Sequence, residues 1–349
     1  MQITPSKALE ALKVCYEINR PGFMWGPPGI GKTETIYELG RQLKVPVIVY
    51  IAAQTDAVDI RGLPFKTIDA SGIERTGWAA PNLPFLDPEW KGILFFDELP
   101  NAAPLVQNAI QQCIHERRVG EHKLSEGTRV FAAGNRQSDR AGAGRLSTAI
   151  ASRFVQLEIT PNIEEWAMWA NAKGLNPLTV VFLRKVRPEL FHQFKPEDTA
   201  FPCPRTWEFC SEITNKVGKD EVAEGVARSL YAGAVGEAAA MEYIAYIEET
   251  QHLPDLDEVM KNPETAPLPD KNSASQLYAM AAGIGTRMRC KDTSAAGLVY
   301  LKRMTKASGQ KEYEILSFMD AQAVVDKEVL TWPAYEEWIS SNQEIFNGR

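Results

Sequence analysis

Apolar and amphipathic segments alternate along the first 160 residues of the chain. Residues 5–18 carry apolar side chains at roughly helical spacing, which predicts a helix, and KTETIYELGRQLK (32–44) has the same character. Three predominantly apolar runs are typical of strands buried on both faces: VPVIVYIAA (45–53), GILFFDEL (92–99) and TRVFAAGN (128–135). The alternation of strands and helices predicts an α/β fold, a mostly parallel sheet with helices on both faces.

The pattern changes near residue 160, after which helical spacing dominates and few strands are expected. In TPNIEEWAMWANAKG (160–174), Asn162 is a candidate N-cap, Glu165 occupies the capping-box position and Gly174 is the expected stop. Three tryptophans of the predicted helices are expected to be core residues: Trp166, Trp169 and Trp207. This part of the chain therefore predicts a separate helical domain.

The last hundred residues begin with a segment rich in Pro, Asp and Asn, residues 253–275, which predicts a long connection. Helical patterns follow at 276–306 and 311–330. We therefore predict three parts: an α/β nucleotide-binding domain at 1–160, a helical domain at 161–250 and a mostly helical C-terminal extension at 251–349.

Composition excludes some classes of protein. With 38 Lys and Arg against 45 Asp and Glu, the net charge is −7, so no global basic field is available to hold nucleic acid. The start lacks the apolar core of a signal peptide, and no apolar run of about 18 residues occurs, so a cytoplasmic protein without a membrane segment is expected. Scattered cysteines predict buried free thiols in a reducing compartment: Cys15, Cys113, Cys203, Cys210 and Cys290.

Residues 24–33, MWGPPGIGKT, follow a predicted strand and open a predicted helix. The spacing is that of a P-loop, in which backbone amides and a helix N-terminus cradle phosphate, the Lys meets the terminal phosphates and the Thr hydroxyl ligates Mg²⁺. The predicted ATP-binding residues are Gly26, Pro27, Pro28, Gly29, Ile30, Gly31, Lys32, Thr33 and Glu34, with Thr33 also a metal ligand.

Polar residues follow two of the apolar strands. Asp97 and Glu98 end one strand and Asn135 follows another, and parallel strands bring such ends to the same edge of a sheet. We predict that Asp97 holds Mg²⁺, usually through water, and that Glu98 activates the attacking water. Asn135 would hydrogen-bond the γ-phosphate and that water. The plainer alternatives are that Asp97 and Glu98 cap the next helix and that Asn135 only forms a turn.

Together these features resemble the AAA+ ATPases, and within them the MoxR branch. GPPGIGKT corresponds to Walker A, ILFFDE to Walker B and Asn135 to sensor 1. FFDELPNAAPLVQNAIQQCIHERRV looks like the stretch of this branch in which an acidic pair and a helix rich in Gln and Ala precede a hairpin. The resemblance covers residues 1–250 well and the last hundred poorly. It implies that the helical domain is a lid and that the chain forms a homo-oligomeric ring, expected to be a hexamer.

The resemblance also implies two arginines. Arg153, in AIASRFVQLEI, matches the arginine finger that completes a neighbouring subunit's ATP site. Arg205, in PCPRTWEFC, matches the sensor 2 arginine of the lid. Arg140 and Arg145, in a glycine-rich loop at the same edge, are rivals for the finger. Arg153 could instead form a surface ion pair, and Arg205 could simply cap its helix.

Two insertions further mark the MoxR branch. Residues 56–86 look like the family's insert in helix 2, and ERRVGEHKLSEGTRV predicts a hairpin ahead of the sensor strand. The resemblance makes the loops Lys66–Trp78 and Val119–Lys123 candidates for contact with a substrate or partner. Plain surface hairpins are the alternative. Trp78 is notable because an exposed aromatic residue is costly unless it packs against something.

Members of this branch remodel or load cofactor into a client protein, often beside a protein with a von Willebrand type A domain. The resemblance therefore implies a chaperone-like ATPase with Mg²⁺ and ATP as cofactors. The alternative is a nucleic-acid motor or helicase-like translocase, which the acidic charge and the lack of a basic, aromatic-interleaved arm disfavour. A nucleotide-dependent scaffold with little turnover is a third class, disfavoured by the presence of Glu98 and both arginines.

Overall fold

The computed structural model describes residues 2–81, 83–136, 144, 146–195, 197–217, 224–250 and 253–342. The chain divides into two compact units, Met1–Pro161 and Asn162–Arg349. None of the described helices combines the length and the apolarity needed to cross a lipid bilayer.

The first unit is built around a sheet. Its strands are β1 (Gln2–Ile3), β2 (Gly22–Trp25), β3 (Val47–Ile51), β4 (Leu63–Ile68), β5 (Glu74–Ala79), β6 (Lys91–Asp97), β7 (Arg118–Val119), β8 (His122–Lys123), β9 (Gly127–Gly134) and β10 (Val155–Ile159). Its helices are α1 (Pro5–Glu17), α2 (Lys32–Leu43), α3 (Ala57–Arg61), α4 (Pro104–His115) and α5 (Thr148–Ala151). Short 3₁₀ turns cover Ala52–Gln54, Pro84–Leu86 and Leu99–Asn101.

The main sheet has the strand order β1-β10-β2-β9-β6-β3 among the described residues, and its neighbouring strands pair in parallel. Successive side chains of β6 point into opposite cores. Phe95 packs with residues of α1 and α2, whereas Leu94 and Phe96 pack with residues of α4. Two apolar cores therefore flank the sheet, and the predicted α/β fold with helices on both faces is confirmed. β1 was not anticipated, because two residues carry too little pattern.

Two hairpins lie outside the main sheet. β4 and β5 pair antiparallel from Leu63 opposite Ala79 to Ile68 opposite Glu74, inside the predicted helix 2 insert. β7 and β8 form the smaller hairpin ahead of β9. Arg117 anchors its base, since the guanidinium donates to the carbonyl oxygens of Thr128 and Ser125, both at 2.8 Å.

The second unit is helical among its described residues. Its α-helices are α6 (Ile163–Lys173), α7 (Pro177–Val181), α8 (Pro204–Val217), α9 (Glu224–Val235), α10 (Glu237–Thr250), α11 (Leu256–Lys261), α12 (Ala274–Arg287), α13 (Lys291–Ser308), α14 (Glu312–Val325) and α15 (Pro333–Ser341). A π-helix covers Phe182–Val186, and 3₁₀ turns cover Pro188–Leu190 and Asp326–Thr331.

The predicted ends of α6 are confirmed. The Asn162 side chain accepts the N–H of Glu165 at 2.9 Å, and Gly174 ends the helix with a φ of 79°. The predicted connection at 253–275 is wrong in part, because α11 forms within it. Asp255 caps α11 by accepting the N–H groups of Asp257 and Glu258, so an acidic composition that suggested a loop instead starts a helix.

One apolar core runs through the described part of the second unit. Trp207 and Tyr243 from the predicted lid and Trp332 from the predicted extension are all buried in it. Trp166 is buried as expected, and Trp169 is partly buried against the same core. The division of this unit into a lid at 161–250 and an extension at 251–349 stays a prediction. Of the five cysteines, four are buried as predicted, whereas Cys290 is exposed.

A buried polar network joins three elements of this core. Arg184 of the π-helix donates to Asp320 Oδ1 on α14 at 2.8 Å, and Asn171 of α6 donates to the same oxygen at 2.9 Å. Asp320 is only 2% exposed, and its Oδ2 is buried without a hydrogen-bond partner. Burial raises the pKa of Asp320 from 3.8 to about 6, and the attraction of Arg184 only partly opposes the shift.

We expect Asp320→Asn to change the pH dependence of stability. A folded-state pKa above the unfolded value means that the carboxyl favours folding below pH 3.8 and loses that contribution as the pH rises through about 6. Between pH 4 and pH 7, the free energy of unfolding of the wild type should therefore fall by about 2 kcal/mol relative to Asp320→Asn. Urea unfolding at several pH values measures this, with exposed Asp198→Asn as control. Parallel pH curves for all three proteins would contradict it.

Candidate nucleotide site

Local backbone geometry shapes the P-loop between β2 and α2. Gly31 precedes α2 with a φ of 86° and Gly29 has a φ of 77°, conformations that L side chains rarely adopt. At Gly26 an added Cβ would lie 2.6 Å from Ile30 Cδ1 and 2.8 Å from the Ile159 carbonyl oxygen. The Ile30 side chain is buried in the core and anchors the loop, so Ile30 can offer a nucleotide only its backbone.

Lys32 ties the P-loop to the end of β9. Its Nζ donates to the carbonyl oxygens of Gly26 and Pro27, both at 2.9 Å, and to Asn135 Oδ1 at 2.8 Å. Because β2 pairs with β9, their carboxyl ends are neighbours, which is why residues 103 positions apart meet. The contact places an ammonium group and an amide at the mouth of the loop.

Thr33 and Asp97 meet at the same edge. Thr33 Oγ1 donates to Asp97 Oδ2 at 2.5 Å, and the backbone N–H of Glu98 donates to Asp97 Oδ1 at 2.9 Å. Asp97 is half-buried at the end of β6, which pairs with β9. A hydroxyl and a carboxylate are hard oxygen donors, and one carboxylate beside phosphates is the usual setting for Mg²⁺. This donor set therefore fits the predicted magnesium ion.

Glu98 is exposed and occupies a left-handed backbone conformation with φ 54°. The next residues, Leu99 and Pro100, are buried and hold this conformation in place. Pro100 also packs against β9, since an added Cβ at Gly134 would lie 2.4 Å from its ring. Strained non-glycine backbone of this kind is concentrated at functional sites. Glu98 is therefore exposed to solvent directly after the end of β6, beside Asp97.

Arg136, next to Asn135, makes a contact that the sequence analysis missed. It follows Asn135, and its guanidinium forms an ion pair of 2.5 Å with Glu158 of β10. Gln2 donates to the same carboxylate at 3.1 Å. These contacts lower the pKa of Glu158, with the Gln2 and Arg136 hydrogen bonds as the main causes. In the sequence, only its position next to Asn135 pointed to Arg136, because its partner Glu158 lies on a strand far along the chain.

The predicted arginine finger, Arg153, and the predicted sensor 2 residue, Arg205, have different surroundings. Arg153 is half-buried, its guanidinium donates to the carbonyl oxygen of Ala149, and its Nε is buried without a partner. Arg205 is exposed on the first turn of α8. Neither arginine has an ion pair among the described residues, so the surface ion pair considered for Arg153 is not seen. The rival fingers Arg140 and Arg145 lie outside the described residues.

Glu34, the last predicted P-loop residue, points elsewhere. Its carboxylate accepts from Arg41 Nη2 at 2.7 Å along the exposed face of α2. The structure thus brings Lys32, Thr33, Asp97 and Asn135 together. Arg153, in the same unit, makes no hydrogen bond with that group among the described residues.

Residues 21–154 match the family described as "AAA domain (dynein-related subfamily)". No curated protein has a sequence that matches this chain. Among solved structures, a mutant of RuvB from Thermotoga maritima is similar at 15% identity, covering 93% of this chain and 85% of that chain with a TM-score of 0.40. A structure of Hsp104 with ATPγS and FITC casein is 13% identical, covers 70% of this chain and 46% of that chain and has a TM-score of 0.36.

The matched segment contains the P-loop, Asp97, Asn135 and Arg153. It begins just before β2 and ends just after α5, and so includes the loop and both neighbouring strand ends that form the site. The predicted enzyme class is confirmed through this match, whereas the MoxR branch stays a prediction. Residues 21–154 are thus similar to the AAA domain of the dynein-related subfamily.

Proposed function

We propose that the chain is a Mg²⁺- and ATP-dependent ring ATPase of the MoxR type that remodels or activates a client protein, beside a partner with a von Willebrand type A domain. The observation that carries the ATPase part is the convergence of Lys32, Thr33, Asp97 and Asn135 at one edge of the sheet. The ring is inferred from Arg153, which has no carboxylate partner among the described residues of its own chain and is proposed to reach the site of a neighbouring subunit.

We assign a separate role in ATP binding and hydrolysis to each residue at the sheet edge. Lys32 would bind the β- and γ-phosphates, and Thr33 and Asp97 would hold Mg²⁺, which neutralises phosphate charge when bound. Asn135 uses its carbonyl oxygen for Lys32, and its amide nitrogen makes no hydrogen bond among the described residues. Both of its N–H groups therefore remain available to the γ-phosphate. Glu98, exposed beside Asp97, is positioned to orient and deprotonate water.

Arg153 and Arg205 are proposed to complete the site from outside it. The Arg153 guanidinium is held by one carbonyl, that of Ala149 in α5, a contact weak enough to exchange for the γ-phosphate of a neighbouring subunit. Arg205 places a cation on the first turn of α8, where the helix dipole disfavours it. No described carboxylate compensates that cost, which supports a phosphate as its partner rather than a helix cap.

The β4–β5 hairpin supports a protein client rather than nucleic acid. Leu63 and Phe65 lie on the same face of β4 and expose 62% and 49% of their surface, and neighbouring exposed apolar residues of this kind mark protein contacts. The cations of the hairpin are paired: Lys66 with Glu74 and Arg75 with Asp69, each at 2.5 Å. The hairpin therefore offers little free positive charge to phosphates.

We expect Glu98→Gln to bind ATP with near wild-type affinity and to lose at least about 100-fold in turnover, because the amide cannot accept the proton of the attacking water. Phosphate release and binding of a fluorescent ATP analogue measure the two effects. Exposed Glu89→Gln is the matched control and should keep wild-type turnover. Wild-type turnover in Glu98→Gln would contradict the role of Glu98.

The same variant tests the biological role. Tagged Glu98→Gln, recovered from its native cell with ATP and Mg²⁺, should retain whatever the ring acts upon. Mass spectrometry should then find a stoichiometric client, together with a protein that contains a von Willebrand type A domain. Recovery of nuclease-sensitive nucleic acid in place of a protein would overturn the remodelling proposal in favour of a motor.

A further inference from the structure

A cleft of about 560 Å³ lies on the first unit, between α4 and the two hairpins. Its walls include Trp78 of β5, Gly120 of the β7–β8 turn and a face of α4. Two contacts fix the small hairpin against these walls. His122 Nε2 donates to the Trp78 carbonyl oxygen at 3.3 Å, and the N–H of Gly120 donates to Gln112 Oε1 at 3.3 Å. The cleft is therefore preformed, which lowers the cost of binding a ligand.

One face of α4 supplies uncommitted hydrogen-bonding groups. Asn108, Gln111 and His115 all line the cleft at helical spacing, and their side chains make no hydrogen bond among the described residues. From residue 108 to residue 115 this face is about 10 Å long, the length of about three residues of an extended chain. Asn and Gln amides each combine donors and an acceptor, which matches the alternating groups of a peptide main chain.

Trp78 and Arg61 complete the lining. Trp78 is half-buried and adds an aromatic surface that suits an apolar side chain. Arg61 has no ion pair among the described residues, and its Nε is buried without a hydrogen-bond partner. The guanidinium at this position is suited to a peptide carbonyl oxygen.

The charge of the lining argues against nucleic acid. Arg61 is the one Lys or Arg in the lining that the described residues form, and the rim carries the carboxylates of Glu116 and Glu121. Glu116 forms an ion pair with Arg118 at 2.5 Å. The remaining charges, one positive on Arg61 and one negative on Glu121, cancel, so the cleft has no net positive charge. Polyphosphate ligands need several cations, and the cleft does not supply them.

We propose that this cleft binds a short, extended, uncharged segment of a polypeptide. The amides of Asn108 and Gln111 hydrogen-bond its main chain, and one of its apolar side chains packs against Trp78. The inference deepens the proposed function, on which it rests for the client being a protein. It assigns client recognition to the wall of α4 as well as to the hairpins.

Fluorescence anisotropy of fluorescein-labelled casein, an unfolded polypeptide, tests the cleft on the full chain without nucleotide. The double variant Asn108→Ala with Gln111→Ala should bind casein about 10-fold more weakly than the wild type. Trp78→Phe should lose less casein affinity than Trp78→Ala, because phenylalanine keeps an aromatic surface. Exposed Gln322→Ala on α14 is the matched control and should bind as the wild type does. Alanine is the best helix former, so the double variant should keep its fold, which circular dichroism checks.

Equal casein affinity for the wild type and the double variant would overturn the proposal. So would displacement of casein by oligothymidylate, or no binding by the wild type up to about 100 µM casein. ATP turnover measured on the same samples separates the two proposals. Cleft-dependent casein binding without any turnover would defeat only the ATPase mechanism, whereas normal turnover with cleft-independent binding would defeat only this inference.

Discussion

Lys32→Ala should abolish ATP binding and, with it, turnover. The Lys32 ammonium lies at the mouth of the P-loop, held by two loop carbonyls and by Asn135 Oδ1 at 2.8 Å. Removing it takes away the cation that meets the terminal phosphates and leaves the carbonyl oxygens of Gly26 and Pro27 facing the ligand without a donor. We expect ATP affinity to fall at least about 100-fold, or about 2.7 kcal/mol, in a titration with a fluorescent ATP analogue.

The control for this prediction is Lys7→Ala, which removes an exposed lysine of α1 and should bind ATP as the wild type does. Lys32→Met is a useful companion, because methionine keeps the length and apolar stem of the side chain without its charge. It should fail to bind in the same way. ATP affinity retained in both Lys32 variants would count against the nucleotide site itself, and with it the role of every residue assigned around it.

Arg153→Ala should spare ATP binding and lower turnover by about 10³- to 10⁵-fold, the range found for arginine fingers supplied to a neighbouring site. Arg153 makes no ion pair among the described residues and donates to one backbone carbonyl, that of Ala149. Its loss should therefore cost the fold little. Phosphate release, ATP-analogue binding and thermal unfolding, measured on one preparation, separate the three properties.

A mixing experiment distinguishes a finger supplied by a neighbour from an arginine that acts in its own chain. Lys32→Ala subunits cannot bind ATP but keep Arg153, whereas Arg153→Ala subunits keep an intact P-loop. Neither variant should turn over alone, and a mixture should regain part of the wild-type activity, because mixed rings place an intact Arg153 beside an intact P-loop.

Two outcomes would change the role assigned to Arg153. Normal turnover in Arg153→Ala, with loss of turnover in Arg140→Ala or Arg145→Ala, would move the role to the glycine-rich loop. Failure of every mixture to recover activity, with Arg153→Ala inactive, would mean that Arg153 acts on the site of its own chain.

Local sequence was enough to predict the scaffold of the site. The apolar runs that became β6 and β9 are buried on both faces because a strand between two helical layers has no solvent-facing side. Gly31 was predictable as well, since the loop needs a positive φ there and glycine adopts one without strain. Asn162 and Gly174 marked the two ends of α6 for similarly local reasons.

Prediction failed where a residue's role depends on a distant partner or on context. Asp255 lies in a segment whose composition is typical of loops. It nevertheless caps α11, because this helix can bury Val259 in the core. The Arg136–Glu158 ion pair was not predictable, since Glu158 is brought beside Arg136 only when β10 pairs with β2. The cleft on α4 was not predictable either, because no single segment forms more than one of its walls.

The amino-acid sequence by itself determined the parallel sheet, the P-loop and the residue types at the ends of β6 and β9, because strand burial, glycine conformation and helix capping act over a few residues. Only the tertiary structure decided which of those residues touch. Strand order places β9 between β2 and β6, so that Asn135 meets Lys32 and Asp97 meets Thr33. Such contacts depend on how strands far apart in the chain are ordered and paired, which packing of the whole unit selects and no local pattern encodes.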